Sequence, residues 1–378
     1  MNKIKTYLVI APFFPSKGSY IGSYIYDQIN EIRVQSHFNI RVIKVVSLFS
    51  SEIDYEYNGF KVTILKMVDI PFFIFPGLFN FINKNRVFAL LRRNNIESIT
   101  LVHGHVTYPS AFLLDCIVDK YKCKSIIQHH GLDVLQLMNG RSNFLRRLQR
   151  KYIIKRGVNQ LNRIDLNVGV SNCVLGELNT FSNYKPKSEY VLYNGVDTSK
   201  FFPNKKKIND RYIIGCIANF WKIKDHITLI KAVQQLINSG ESIRLYLIGS
   251  GPTLSYCKNY VLNNGLSDNI TFFTEREHNK LNEFYNSIDL FVMPSYYEAL
   301  GCVYLEAWAT STPFIGVESQ GISEIVPDSE SMLIKKQDIA GLKEKILYFM
   351  NSNRVIRFDS RLSIKNTIGS FLSSKIFN

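Results

Sequence analysis

The sequence predicts an α/β protein built as two domains, each a sheet of buried strands alternating with helices. Three observations carry this. At 378 residues the chain exceeds the size at which one hydrophobic core keeps growing. Short apolar runs stop repeatedly at Pro, Gly or polar loops and give way to helical spacing. Leu290 to Met293, for example, is ended by Pro294 and Ser295, and from Cys302 onward Val303, Glu306, Ala307 and Thr310 recur at steps of three and four. Finally, the turn signal Asn194-Gly195 and the polar stretch Phe202-Pro203, Asn204 and Lys205 to Lys207 interrupt the pattern before it restarts at Tyr212. The domain boundary is expected there, between about residue 184 and residue 210.

Composition narrows the class. A hydrophobic content of 46% is ordinary for a globular chain. The six cysteines, Cys116, Cys123, Cys173, Cys216, Cys257 and Cys302, make no Cys-x-x-Cys pair, and the seven histidines show no zinc spacing, which fits a reducing cytosol without a structural metal. The N-terminal Lys3, Lys5 and the apolar run to Phe14 imitate a signal peptide, but the run is short and broken by Pro12 and Pro15, so a first strand is expected. No run is long enough to span a bilayer. The formal charge of +15 is concentrated early, with 26 Lys and Arg against 14 Asp and Glu in residues 1–200. That asymmetry points the first half toward a polyanion, either anionic lipid or nucleic acid.

Along the chain, Lys5 to Phe14 reads as a buried strand, followed by a small-residue loop that opens a helix. Gly18 and Gly22 in that loop suit a backbone lying against a phosphate, although two glycines in a turn are more often only a turn. Ile70 to Ile82, IPFFIFPGLFNFI, carries no charge and is followed by Lys84, Arg86, Arg92 and Arg93. This is the composition of a segment in a membrane interface, and also of core between a sheet and a helix. Ser98 to His105 and Ser125 to Asp133 are strands bearing histidines at their ends, where open parallel sheets bind ligands; His129 fits a core or capping role.

Residues 141–163 hold eight Lys or Arg and no acid, with Phe144, Leu145, Leu148, Ile153 and Ile154 near helical spacing. A basic amphipathic helix suits anionic lipid head groups; a solvated helix face is the plain alternative, and no nucleic-acid recognition motif accompanies it. Asp165 to Asn172, Tyr212 to Ala218, Ile243 to Pro252 and Asn269 to Thr274 continue as strands with their loops. After Gly341 a helix of LKEKILYFM type leads to a basic, irregular tail.

Glu298 falls in the loop after the strand Leu290 to Met293, and Glu306 lies one to two turns into the next helix. That helix N-terminus offers free N–H groups and positive potential for an anion such as a diphosphate, and Gly301 allows close approach. A carboxylate one turn further in can accept from the paired hydroxyls of a ribose. Glu298 then faces whatever the diphosphate carries. Solvated surface acids are the plain alternative.

In Pro294, Ser295, Glu298, Gly301, Glu306, Ala307 and Pro313, with Gly321 and Glu324 beyond, the chain resembles the retaining glycosyltransferases of family 4. The resemblance runs over about residues 5 to 350 and implies the GT-B fold, two Rossmann-like domains facing a central cleft. Residues 1–190 would be the acceptor-binding domain, 191–350 the nucleotide-sugar-binding domain, and 351–378 a C-terminal helix or tail that could cross back to the first. It places Gly22, Asn219, Lys224, Gly249, Glu298, Ala299, Leu300, Gly301 and Glu306 on the donor, with Lys224 neutralising the diphosphate. Asn219 stands where most members have arginine, so stabilisation of the leaving group would rest more on Lys224, the helix N-terminus and Lys222.

The segment His130-Gly131-Leu132-Asp133 is similar to the family's His-Gly-x-Asp, which implies that His130 reaches the reacting sugar, with His105 and Asp133 on the acceptor side. His130, Glu298 and Lys224 are the expected catalytic residues. The implied activity is transfer of a sugar, with retention, from a nucleotide-diphosphate sugar to a saccharide acceptor, using no metal and no other cofactor. The basic, Phe-rich first domain adds the expectation of a lipid-linked acceptor of bacterial surface polysaccharide synthesis, reached by a cytoplasmic protein held peripherally on the inner face of the membrane. A glycosidase-like pairing of Glu298 and Glu306, and a phosphorylase- or epimerase-like enzyme, fit less well. A family member that binds nucleotide sugar or membrane without turnover is kept in view by Asn219.

Overall fold

The computed structural model describes residues 5–69, 76–131, 144–204, 210–274, 280–352 and 354–377. Asp133, Ile70 to Phe75, Lys205 to Lys207 and the start of the basic stretch at 141–143 therefore lie outside the described residues. The chain forms two units, one of Met1–Tyr193 with Thr367–Asn378, the other of Asn194–Asn366.

The first unit is an eight-stranded sheet. Its strands are β1 Thr6–Ala11, β2 Asn39–Ser47, β3 Tyr55–Tyr57, β4 Phe60–Met67, β5 Leu101–His105, β6 Lys124–His129, β7 Leu166–Gly169 and β8 Glu189–Val191. They lie in the order β3-β4-β2-β1-β5-β6-β7-β8, parallel throughout except for the antiparallel hairpin strand β3. Every residue of β1 is buried, as expected of a central parallel strand covered on both faces. The helix Ser23–Gln35 buries Ile25, Gln28, Ile29 and Ile32, the three- and four-residue period of a helix laid on a sheet. The order reverses at β1, between β2 and β5, which makes the C-terminal ends of β1 and β5 the ligand-binding position of this topology.

β3 pairs with β4 only as far as Val62. Beyond that, side chains replace the missing strand. Asp54 accepts from the Ile64 N–H (2.8 Å), the Arg86 Nε–H donates to the Lys66 carbonyl (2.7 Å), and the Asn83 amide both accepts from and donates to Val68 (2.8 and 2.9 Å). Asn83 and Arg86 come from the helix Asn80–Arg93, so one helix seals the sheet edge.

The second unit has six parallel strands, β9 Tyr212–Ile217, β10 Ile243–Ile248, β11 Ile270–Phe273, β12 Leu290–Val292, β13 Phe314–Val317 and β14 Leu333–Ile334, ordered β11-β10-β9-β12-β13-β14. Here the reversal falls at β9. The helix His226–Asn238 covers the sheet with Leu229, Ala232, Val233 and Leu236.

The tail carries a turn of 3₁₀ helix at Ser360–Leu362 and an α-helix at Ile364–Leu372. Ile364, Ile368 and Phe371 are buried, a helical spacing hidden among Ser, Lys and Asn. Phe371 packs against Tyr190 at 5.4 Å and Phe377 at 5.0 Å, and Phe377 lies parallel to Tyr7 at 6.4 Å, all within the first unit.

Candidate functional site

In the second unit three loops converge at the C-terminal ends of β9, β10 and β12. After β9 the chain passes Asn219 and the exposed Trp221 into the 3₁₀ turn Lys222–Lys224. After β10 comes Gly249, at φ +146°, where a Cβ would overlap the Ala218 carbonyl oxygen. Glycine is required there because the two loops press backbone against backbone. After β12, Met293 to Leu300 leads to Gly301, which caps the helix Cys302–Ala309. A Cβ on Gly301 would stand 3.1 Å from Met293 and 3.2 Å from both Glu298 and Tyr304.

The β9 and β12 loops are tied together. The Lys224 ammonium donates to Glu298 Oε2, and the Tyr296 N–H donates to the Ile223 carbonyl (2.7 Å). Asp225, next after Lys224, adopts a left-handed backbone (φ +50°) and is held by the Thr228 hydroxyl at 2.6 Å; burial raises its carboxyl above the ordinary value against these bonds. Gln320 Nε2 donates to the Ser295 carbonyl (2.7 Å) and the Gly321 N–H to the Glu298 carbonyl (3.3 Å), so Glu298 is fixed through side chain and backbone. Ala299 and Leu300 are buried, and the Leu300 carbonyl accepts from Asn194 Nδ2 (2.8 Å).

Glu306 lies behind this loop, 6% exposed, with Oε2 accepting the Tyr285 hydroxyl at 2.7 Å. Burial, then the Glu306 charge, push the Tyr285 phenol well above its usual range, which keeps it a donor. Asn219 is exposed and brings no charge, as does not hold for its neighbours Lys222 and Lys224. His226, at the start of the next helix, stacks on Phe220 at 3.9 Å, and burial lowers it to about 4.

In the first unit the ends of β5 and β6 bring histidines together. His105 Nδ1 lies 3.0 Å from His130 Nε2, His103 stacks on His105 with centroids 4.4 Å apart, and the Tyr7 hydroxyl meets His103 Nδ1 at 2.7 Å. His130 is half-buried beside Tyr24, with ring centroids 4.8 Å apart. His105, expected on the acceptor side, is fully buried and lies behind His130, with His103 stacked on its ring. His129 is fully buried against Thr107 and Asn167, the core role that its sequence position suits. Gly22 has φ +87°, and a Cβ there would come within 2.8 Å of Phe13 backbone. The demand for glycine at 22 thus arises within the fold.

Sequence reasoning missed Tyr285, Asp225 and Gln320 around the carboxylates, and Tyr7, Tyr24 and His103 around His130. Asp225 alone left a signal, an acid immediately before an apolar helical run. Among the described residues no group of three or more His, Cys, Asp or Glu is arranged to hold a metal ion. No helix among them is long and apolar enough to cross a membrane.

Comparison with known proteins follows the same division. Residues 24–200 match the profile described as Glycosyltransferase Family 4, and residues 197–367 match Glycosyl transferases group 1. A putative glycosyltransferase of Bacillus subtilis, EpsF, is 32% identical over 35% of this chain and 37% of its own length. The capsular polysaccharide biosynthesis glycosyltransferase CapM of Staphylococcus aureus is 27% identical over 47% of this chain and 46% of its own. The chain thus spans less than half the length of these curated relatives. Among solved structures, a sucrose-phosphate synthase from Thermosynechococcus elongatus superposes with a TM-score of 0.74 at 17% identity, covering 97% of this chain and 94% of that one. Anabaena HepE in complex with UDP and glucose gives 0.72 at 15% identity, covering 98% and 100%. The shared fold is GT-B.

Proposed function

Because the chain belongs to the group 1, family 4 glycosyltransferases, whose two regions it carries in order over residues 24–367, we propose that it transfers a sugar from a nucleotide-diphosphate sugar to a saccharide acceptor with retention of configuration. The observation that carries this reading is the Lys224–Glu298 contact at the switch point of the second sheet, with Glu306 buried behind it. The reaction must stabilise a departing diphosphate and an oxocarbenium-like carbon while an acceptor hydroxyl stands beside them. Lys224 and the N–H groups around Gly301 hold the diphosphate, Glu306 the ribose, Glu298 the donor sugar, and His130 its hydroxyls. Gly249 keeps the β10 loop tight against the β9 loop, and Gly22, Ala299 and Leu300 complete the donor contacts. Asn219 contributes hydrogen bonds where a charge is usual.

The acceptor is a lipid-linked saccharide of surface polysaccharide synthesis, met by a protein resting on an anionic membrane. Support comes from exposed Leu78 and Phe81 beside Lys84, and from exposed Lys151, Lys155 and Arg156 on the helix Phe144–Leu161. Binding to anionic, but not neutral, liposomes at low salt is the expected result; failure to co-sediment removes the membrane part.

The test of the activity is thermal stabilisation by UDP, GDP, ADP and CMP and their common sugar conjugates, followed by donor hydrolysis without acceptor. Stabilisation by one diphosphate nucleotide, lost in Glu306→Ala, and hydrolysis lost in Glu298→Ala are expected. Folded protein that responds to no nucleotide sugar overturns the reading.

A further inference from the structure

Three histidines of the first unit form one array with Tyr7, which runs from Tyr7 through His103 and His105 to His130. We propose that His105 is a positioning residue: it donates its Nδ1–H to His130 Nε2 and thereby fixes His130 with its proton on Nδ1. This rests on the reading of His130 as the residue that meets the reacting sugar, and it assigns that residue a defined polarity.

The direction of the bond follows from what surrounds His105. The ring is fully buried, and burial, then the neighbouring His103 and His130, hold it well below the ordinary imidazole range, so at neutral pH it carries a single proton. Its Nε2 is inaccessible to solvent and has no hydrogen-bond partner among the described residues. A proton there would be a buried N–H without an acceptor, which native structures avoid more strictly than an unfilled lone pair. The proton therefore belongs on Nδ1, 3.0 Å from His130 Nε2, and His130 Nε2 must accept. His130 then offers Nδ1–H as a donor to a hydroxyl oxygen, and no base at that atom.

The backbone holds His105 for this task. The next residue, Val106, is β-branched yet sits at φ +70°, a conformation that persists only where the surroundings impose it. Its N–H donates to the Gln128 carbonyl at 2.9 Å, and the Ser110 hydroxyl lies 2.6 Å from the His105 carbonyl. Strain of this kind clusters at functional sites.

The experiment is long-range ¹H–¹⁵N correlation of the ¹⁵N-histidine-labelled full chain at pH 7.5, with no ligand. His130 and His105 are both expected as neutral rings protonated on Nδ1. His105→Asn, whose side-chain N–H occupies the place of Nδ1–H, keeps the His130 pattern, whereas His105→Phe keeps a ring against His103 but releases His130 to the Nε2–H form that imidazoles favour in water. His130 protonated on Nε2 in the wild type, or an unchanged His130 in His105→Phe, overturns the proposal; should that variant not fold, the wild-type spectrum decides alone. Absence of turnover with UDP-glucose, UDP-N-acetylglucosamine and GDP-mannose would count against the activity and leave this readout untouched. With turnover, His105→Phe is expected to lower kcat by about 10–100-fold at nearly constant donor KM, with His105→Asn restoring most of it. Equal losses in the two variants would also overturn it.

Discussion

The Lys224 ammonium donates to the Glu298 carboxylate across 74 residues of sequence, joining the loop after β9 to the loop after β12. Both side chains are partly shielded, at 23% and 17% exposure, so each charge relies on the other until a ligand arrives. In the proposed reading, a donor whose diphosphate meets Lys224 and whose sugar meets Glu298 takes over both roles of the pair. The same contact holds the two loops together.

Exchanging the charges tests whether the pair is structural or chemical. Lys224→Met should lower donor turnover by about 10²–10³-fold, the usual loss for one preorganised stabiliser of developing charge. The double exchange Lys224→Glu with Glu298→Lys should restore thermal stability toward the wild type and leave turnover lost. Recovery of turnover in the exchange would make the pair purely structural.

Much of this was legible in the sequence. Apolar runs ending at Pro, Gly or His mark the strand ends, and Glu298, Gly301 and Glu306 could be placed because strand ends and helix starts are local features. What was not legible is contact made across distance. Tyr285 reaches Glu306 over 21 residues from a short helix, Leu281–Ser287, whose sequence shows nothing but amphipathicity. The apolar face of the tail was hidden for the same reason, since Phe371 finds its core partners in Tyr190 and His103, far away in sequence. The burial of His105 was not legible either, since β5 and β6 both end in histidine and nothing local distinguishes the buried His105 from the half-exposed His130.

Tyr285→Phe removes the hydroxyl that donates to the buried Glu306 carboxylate and nothing else. A hydrogen bond to a charged group is worth about 1.5–3 kcal/mol, so urea unfolding should show a loss of that size. Nucleotide stabilisation should weaken in parallel, since the Glu306 side chain loses a constraint. Unchanged stability with unchanged nucleotide binding would mean that Glu306 is held by its other contacts.

Acid should destabilise the second unit through His226. Its native value of about 4 lies below the ordinary 6.5, so between those values the unfolded chain binds more protons than the native one. The stabilising contribution is complete above about pH 6.5 and is lost as pH falls toward 4, at up to about 1.4 kcal/mol per pH unit for one proton. His226→Phe, which retains a ring against Phe220, should flatten this limb in urea titrations from pH 7 to 4. An unaltered slope would assign the acid sensitivity to other groups, among them His103, which burial lowers to about 3.

The edge of the first sheet gives a prediction free of any reading of function. Asn83 is 2% exposed and satisfies both the N–H and the carbonyl of Val68, acting in place of a strand residue. Asn83→Leu keeps the branched outline of the side chain, though larger, while two backbone groups lose their partners. Each buried orphan costs about 1–3 kcal/mol, so a loss of about 2–5 kcal/mol on urea unfolding is expected. The exposed end of β4 also becomes a template for pairing between chains, and concentration-dependent association should accompany the loss. Asn83→Asp distinguishes the two effects: its carboxylate still accepts from the Val68 N–H but leaves the carbonyl unmet, so it should lie between wild type and leucine in stability. Its charge should also suppress edge-to-edge association. A leucine variant as stable and as monomeric as the wild type would show that the helix Asn80–Arg93 covers this edge by packing alone.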